Sequence, residues 1–310
     1  MAALPDRYAR VLIGDEPLQR TFLNRPASPV LARVAPCVSD LQHLSRILSK
    51  VAFSEDAKQV GLPIPAFRVV AGPHQLTSAD WKGVPFVIKL DETMSGSGVH
   101  IIRSREDLDM ARSSLSGPFL VQDYISGRVG ATSVLFQNGK PKCWFSYFLC
   151  RNWPNPVAAS SAVEICWFPE IEGMLEKIGR MTSFEGLCGI DWVLDPKSGH
   201  PLVLEMNPRP TPGMMVGFLA GVSFPAAIAD ALAGGSTIQR PAQVSVPMYR
   251  MFPQHLQWAI DAHRPWEFVR TWANAPWHDP KLLLSQFRRV LTHYLPRTWR
   301  DSAKSLLRRK

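Results

Sequence analysis

Hydrophobic positions along the chain follow two periodicities, and the dominant one changes near residue 84. Before that point the clearest pattern is helical. Leu41, Leu44, Ile47, Leu48 and Val51 recur at helical spacing behind Ser39 or Asp40 as a cap, which predicts a helix over 38–51. The run Gly61-Leu-Pro-Ile-Pro stops any helix passing through Gln59, and a short strand is expected at 11–14. Beyond residue 84, β-rich runs at 85–90, 98–103 and 119–125 read as strands, with a helix beginning at Ser104-Arg-Glu-Asp between the last two. Two hairpins follow. Segments 131–137 and 142–149 flank Asn138-Gly139, a dipeptide that favours a tight turn, and 190–194 and 202–206 flank the turn 195–199. A helix is expected over 169–181 between them. The pattern is α+β and rich in antiparallel pairs, not a doubly wound parallel sheet.

The chain has 310 residues, 46% of them hydrophobic, enough for two or three packed units. Its longest apolar stretch, 214–229, is interrupted by Gly217, Gly221, Ser223 and Pro225 and falls short of the ~20 residues a membrane span needs. The first residues lack a basic segment followed by an apolar one, so no signal peptide is expected and the chain reads as cytoplasmic. Five cysteines without a close pair are expected to be reduced core thiols, with neither a disulfide framework nor a zinc site. The net charge of +9 is uneven: residues 281–310 hold nine Lys or Arg against one acid, which is +8, and leave +1 for the rest. The basic balance therefore describes the tail and says little about the body.

Two clusters carry candidate chemistry. In the first, Gly189-Ile-Asp191 is followed by Leu204-Glu205-Met-Asn207-Pro-Arg209-Pro. Alternation along a strand puts Glu205 and Asn207 on one face, and the preceding hairpin strand can set Asp191 against them. A few oxygen donors of this kind suit magnesium, which keeps waters and substrate phosphates in its other positions, and Arg209 could then hold a phosphate oxygen. Alone, such acids can equally face water. The second cluster is Val87-Ile-Lys89 followed by Ser95-Gly96-Ser97-Gly98. A lysine ending a buried strand beside a loop with little side chain lets an ammonium and backbone N–H groups approach phosphate. Alone, Ser-Gly-Ser-Gly is equally a flexible turn. Neither a P-loop nor a Rossmann glycine motif is present.

In this order, from about Lys50 to about Gly235, the motifs resemble the ATP-grasp superfamily, and Asn-Pro-Arg-Pro is similar to the terminal motif of many of its ligases. The resemblance implies an ATP-grasp fold of two α+β subdomains clamping ATP, with a shortened N-terminal region over 1–75. The ATP-grasp domain would span 76–235, its nucleotide subdomain about 76–125 and its metal and substrate subdomain about 126–235. A Trp-rich, basic, helical extension would follow over 236–310. It further implies that Lys50 approaches the nucleotide, that Lys89 binds phosphate, and that Ser95, Gly96, Ser97 and Gly98 form the flap. Phe119-Leu-Val-Gln122-Asp123-Tyr-Ile125 resembles the hinge that meets adenine, with Gln122 at the exocyclic amine and Asp123 and Ile125 as backbone contacts. Asp191, Glu205 and Asn207 match the ligands of Mg2+, with Mn2+ as an alternative. Gln122 stands where the family usually has an acid, and Val129 where an acid commonly holds the ribose.

The implied reaction is ADP-forming ligation, in which a carboxylate activated as an acyl phosphate is attacked by an amine. A carboxylate-thiol ligase, a kinase or a non-catalytic nucleotide-binding scaffold are the alternatives. Arg151 is the candidate clamp for the carboxylate or acyl phosphate; otherwise it is a solvated strand-end arginine. The expected partners are small carboxylates and amines, with a homo-oligomer or a partner protein to complement the short N-terminal region. In the extension, Leu282, Leu283, Phe287, Val290, Leu291, Tyr294 and Leu295 form a helical stripe beside basic residues. That stripe is expected to pack, with peripheral contact to an anionic membrane as the alternative. Nucleic-acid binding is not expected, because the charge is confined to one tail without a recognised module.

Overall fold

A computed structural model describes residues 11–12, 14, 16–23, 34–35, 37–38, 41–91, 93, 96, 98–154 and 160–294. The chain divides into two compact units, one of 1–149 with 164–247 and the other of 150–163 with 248–310.

The first unit opens with β1 (Val11–Leu12), α1 (Glu16–Leu23), β2 (Val34–Ala35), which pairs parallel with β1, and β3 (Cys37–Val38). The helix expected over 38–51 is two helices, α2 (Leu41–Leu48) and α3 (Lys50–Gln59). The break falls at Ser49, whose extended backbone lets its Oγ accept from the Ala52 N–H at 3.0 Å and cap α3. A serine at that position favours capping over continuing the first helix.

A four-stranded antiparallel sheet follows, built from β4 (Phe67–Val70), β5 (Phe86–Leu90), β6 (Val99–Ile102) and, after α4 (Arg105–Arg112), β7 (Phe119–Asp123). Its order is β4-β7-β5-β6. The sequence pattern does not reveal β4, a four-residue edge strand between prolines and an irregular segment with only Val70 fully buried. Val70, Leu76, Ile88, Ile102, Leu108 and Phe119 form the core beneath this sheet.

The larger sheet has the order β12-β11-β8-β9-β10, from β8 (Val129–Gln137), β9 (Lys140–Asn152), β10 (Ser160–Cys166), β11 (Phe184–Leu194) and β12 (Pro201–Asn207). Helix α5 (Glu170–Thr182) precedes β11, and β3 pairs with the start of β11. Asn138 and Gly139 both have positive φ, 52° and 68°, as a two-residue hairpin turn requires. Helix α5 packs so near this turn that a Cβ on Gly179 would lie 1.9 Å from the Gly139 carbonyl oxygen. Phe53 and Ala57 of α3, Leu175 and Ile178 of α5, and Phe136, Trp144, Trp192 and Val203 of the sheet share one core. Among the buried polar groups, the Trp192 indole N–H donates to Thr132 Oγ1 at 3.0 Å. The apolar stretch 214–229 becomes a 3-10 helix, Pro212–Ala220, and α6 (Phe224–Leu232), bent by 98° with Val216, Ala220, Phe224 and Ala227 buried. Among the described residues no single helix is long and apolar enough to cross a membrane.

The extension contains β13 (Val246–Arg250) ahead of α7 (Gln254–Asp261), α8 (Pro265–Trp272) and α9 (Pro280–Tyr294). Phe252, Leu256, Ala275 and Val290, with Phe268, Trp272 and Leu283 against them, give the second unit its own core.

Candidate functional site

Antiparallel pairing of β11 with β12 sets Asp191 directly opposite Glu205 and Gly189 opposite Asn207, and a register shift follows Asp191. The Asn207 amide reaches across and donates to Asp191 Oδ2 at 3.0 Å. The two carboxylates and one amide therefore meet at the open end of the hairpin. Among the described residues there is no cluster of three or more His, Cys, Asp or Glu suited to a metal. Two carboxylates and an amide nonetheless fit a cation such as Mg2+, which takes few protein ligands. Burial, and then the charge and hydrogen bonding of Glu205, push the Asp191 carboxyl well above the usual carboxylate range, while Asn207 and Arg209 oppose that shift. A cation between the carboxylates would remove the repulsion that raises it.

Lys89, near the end of β5, is only 6% exposed, with Nζ 3.4 Å from the Leu204 carbonyl oxygen. Burial lowers its pKa; Glu205 and Asp191 favour the charged form, and Lys50 opposes it. Lys50 opens α3 and donates to the Thr93 carbonyl and to Thr93 Oγ1. Asp91 holds the start of that helix, accepting from Ser49 Oγ at 2.8 Å and from the Val51 N–H at 3.3 Å. Gly98 closes the turn: its carbonyl accepts from the Leu90 N–H at 2.8 Å, and a Cβ there would sit 2.3 Å from Thr93 Oγ1. Gly96 has φ +74° in the same turn, and its carbonyl accepts from the Val99 N–H. Ser95 and Ser97 lie outside the described residues.

Lys50, Thr93, Gly96, Glu205 and Asn207 line one cleft, whose apolar wall is Ile47, Leu48, Phe53, Val99 and Met206. An apolar wall with a few convergent polar groups is the usual make-up of a ligand pocket. The structure thus brings together residues from α3, the β5–β6 turn and β12. Gln122 is buried on the central strand β7, between Phe67 and Val87 of the neighbouring strands. Asp123 is exposed and donates its backbone N–H to the Ala66 carbonyl at 2.9 Å, and Ile125 follows the end of β7. Val129 is exposed at the start of β8. Arg209 follows β12, its N–H donating to the Asn207 carbonyl at 2.7 Å.

Arg151 belongs to the second unit. Its guanidinium lies 4.3 Å over the Trp258 ring, and the Ser160 and Ser161 hydroxyls donate to its carbonyl at 3.1 and 3.0 Å.

Several supporting groups escape the sequence reading. Thr93 and Asp91 sit between the two recognisable segments, and only the capping role of Ser49 could have pointed to them. Tyr147 also supports the site region: its hydroxyl is 3.5 Å from Ser133 Oγ, which is 3.3 Å from Thr211 Oγ1. A Cβ on Gly213 would meet that tyrosine oxygen at 2.0 Å. Burial pushes the Tyr147 pKa up to about 12, so it stays neutral beneath the segment that follows Arg209.

No protein-family model matches the chain. Among curated proteins it is 23% identical over 186 residues to the carbamoyl phosphate synthase large chain of Methanothermobacter thermautotrophicus, which covers 55% of this chain and 18% of that one. It is 34% identical over 90 residues to D-alanine–D-alanine ligase of Anaplasma centrale, 28% of this chain and 44% of the relative. The chain thus spans less than half the length of these curated relatives. Among solved structures, phosphoribosylamine–glycine ligase of Thermotoga maritima aligns with a TM-score of 0.57 at 18% identity, over 77% of this chain and 65% of that one. The N5-carboxyaminoimidazole synthase of Aspergillus clavatus, solved with ADP and 5-aminoimidazole ribonucleotide, aligns with a TM-score of 0.54 at 16% identity, over 68% and 56%. At these identities the likeness to solved structures is one of fold.

Proposed function

We propose that the chain, which shares its fold with phosphoribosylamine–glycine ligase and N5-carboxyaminoimidazole synthase, is an ADP-forming ATP-grasp ligase of the Asn-Pro-Arg-Pro type, which activates a carboxylate as its acyl phosphate for attack by an amine. The observation that carries this reading is the meeting of Glu205 and Asn207 with Lys50 in one cleft, with Asp191 opposed to Glu205. Solved neighbours include proteins crystallised with ADP, with MgADP and with ATP, which is consistent with a nucleotide in that cleft.

In this reading Asp191, Glu205 and Asn207 hold Mg2+, with Mn2+ as a substitute. When bound, the ion neutralises and orients phosphate oxygens. Phosphoryl transfer asks the protein chiefly for positioning and charge neutralisation. Lys89 meets both demands, because its ammonium is fixed by burial and an arriving phosphate favours its charged form. Lys50, tethered to Thr93, faces the same cleft, and Arg209 provides a planar donor suited to the transferred group. The apolar wall shields the base, with the backbone near Gln122, Asp123 and Ile125 as the hinge and Gly96 and Gly98 in the flap.

Trapping with hydroxylamine tests the reading. A carboxylate substrate with ATP and Mg2+ should yield ADP and a hydroxamate, whereas a kinase yields a stable phosphorylated product and a thiol ligase requires a thiol. Absence of ADP formation across a broad panel of carboxylates and amines would refute it.

A further inference from the structure

The second unit carries a feature that ligation does not use. It holds 13 Lys or Arg against 4 Asp or Glu, a net +9, whereas the first unit has 22 of each and is neutral. The whole net charge of the chain is therefore concentrated in this unit. Its three described acids are engaged internally. Glu267 pairs with Arg250 and His255, Asp261 accepts from Trp153 and Tyr294, and Asp279 accepts from the Leu282 N–H at the start of α9. Among the described residues Arg264, Lys281, Arg288 and Arg289 form no ion pair.

Helix α9 has two apolar stripes, and packing uses only one. Leu283 and Val290 turn into the core of the unit. Leu284 (51% exposed) and Leu291 (50% exposed) lie two turns apart on an adjoining stripe with half-exposed Phe287. Lys281 and Arg288, also two turns apart, border that stripe on its other side. The apolar surface continues beyond the helix. Phe287 stacks near Trp272 at 6.2 Å, Trp272 near Trp277 at 5.7 Å, and Trp277 is 59% exposed. On α8, Trp266 (78% exposed) and Val269 stand beside Arg270.

We propose that this face of α9, with Trp277 beside it, docks on an anionic phospholipid bilayer, with Trp277, Leu284 and Leu291 entering the interface and Lys281 and Arg288 contacting headgroups. The arrangement is that of an interfacial helix, in which an apolar strip is bordered by cations and indoles sit at headgroup depth. Trp277 could stack a base, but the stripe itself is aliphatic Leu284 and Leu291, which offer no platform for a run of stacked bases, and this weighs against a nucleic acid. A self-association interface would bring the same unpaired cations together, with every described acid already engaged.

Vesicle flotation of the full chain tests the proposal, comparing pure phosphatidylcholine with vesicles containing about a third phosphatidylglycerol. Binding should require the anionic lipid and should weaken at least tenfold as NaCl rises from about 50 to about 300 mM. Lys281→Gln with Arg288→Gln should weaken it about 25-fold, at roughly fivefold per charge. Leu284→Ser with Leu291→Ser should abolish it while the melting temperature holds. Wild-type protein that ignores anionic vesicles at low salt, or binds neutral ones equally, overturns the proposal whatever the variants do. It is also overturned if both pairs of substitutions leave flotation unchanged. Retention on a single-stranded oligonucleotide without vesicle binding, or a concentration-dependent dimer lost in the serine pair without vesicle binding, assigns the face elsewhere and overturns it too.

Discussion

Replacing Asp191 with asparagine should stabilise the metal-free protein and remove the stabilisation that Mg2+ confers. Asp191 and Glu205 are direct cross-strand partners, a placement that puts Cβ atoms about 5 Å apart. Two unit charges at that spacing repel by about 3 kcal/mol at an effective dielectric constant of about 20. The Asn207 hydrogen bond and the charge of Arg209 return part of this, and the folded chain avoids the rest by keeping a proton on Asp191 until the pH is raised. Burial and Glu205 raise the Asp191 pKa to about 8, above the value of about 3.9 expected in the unfolded chain. The folded state therefore binds this proton more tightly. Its contribution to stability is complete below pH ~4 and is lost as pH rises toward about 8. Urea denaturation in EDTA across that range should show wild-type stability declining relative to Asp191→Asn, with the variant the more stable at the alkaline end. Added Mg2+ should shift the wild-type midpoint upward and move the variant much less. A variant less stable than wild type throughout in EDTA, or an equal Mg2+ shift in both proteins, would refute the reasoning.

Lys89→Met, which keeps the length and loses the charge, should leave the fold intact and weaken ATP far more than adenosine; calorimetric titration showing equal losses would remove Lys89 from the phosphates. Gly98→Ala forces a Cβ against Thr93 and Leu90 and should cost about 1–3 kcal/mol in urea melts while weakening ATP, because Thr93 anchors Lys50. Glu267, held down to about pKa 2 first by its hydrogen bond to Arg250, contributes stability above its unfolded pKa that is lost as pH falls toward 2. Glu267→Gln should lower the melting temperature near neutrality and flatten that acid limb.

The elements that can be read from the sequence are those whose signal is local. Asn138-Gly139 fixes a hairpin because both residues must adopt positive φ, and Ser104 announces α4 because its hydroxyl accepts from the Asp107 N–H at 3.1 Å. The break at Ser49 is equally local in chemistry, yet the apolar spacing of Leu44, Ile47, Leu48 and Val51 runs straight across it. Periodicity thus hides a cap that lies inside it. Strand β10 is missed for a different reason. It begins at Ser160 and Ser161, whose hydroxyls bond the Arg151 carbonyl, so its polar start reads as loop until the partner strand is known.

The candidate site shows the same division more sharply. Asp191, Glu205 and Asn207 can be read as a set because alternation and a hairpin bring them together within 17 residues. Lys89 and Lys50 share the region with them only through tertiary packing, by way of the Leu204 carbonyl in one case and Thr93 in the other. None of these choices helps the fold. A hairpin end would be more stable without two opposed carboxylates, and a strand core more stable without a buried ammonium. The surrounding structure holds them in place regardless: Trp192 next to Asp191 is fully buried and bonded to Thr132, and Val203 and Met206 anchor β12 on either side of Glu205. Where a sequence keeps costly groups on so firmly packed a frame, a ligand that neutralises them is the natural compensation, and the proposed function supplies it as phosphates with a divalent cation.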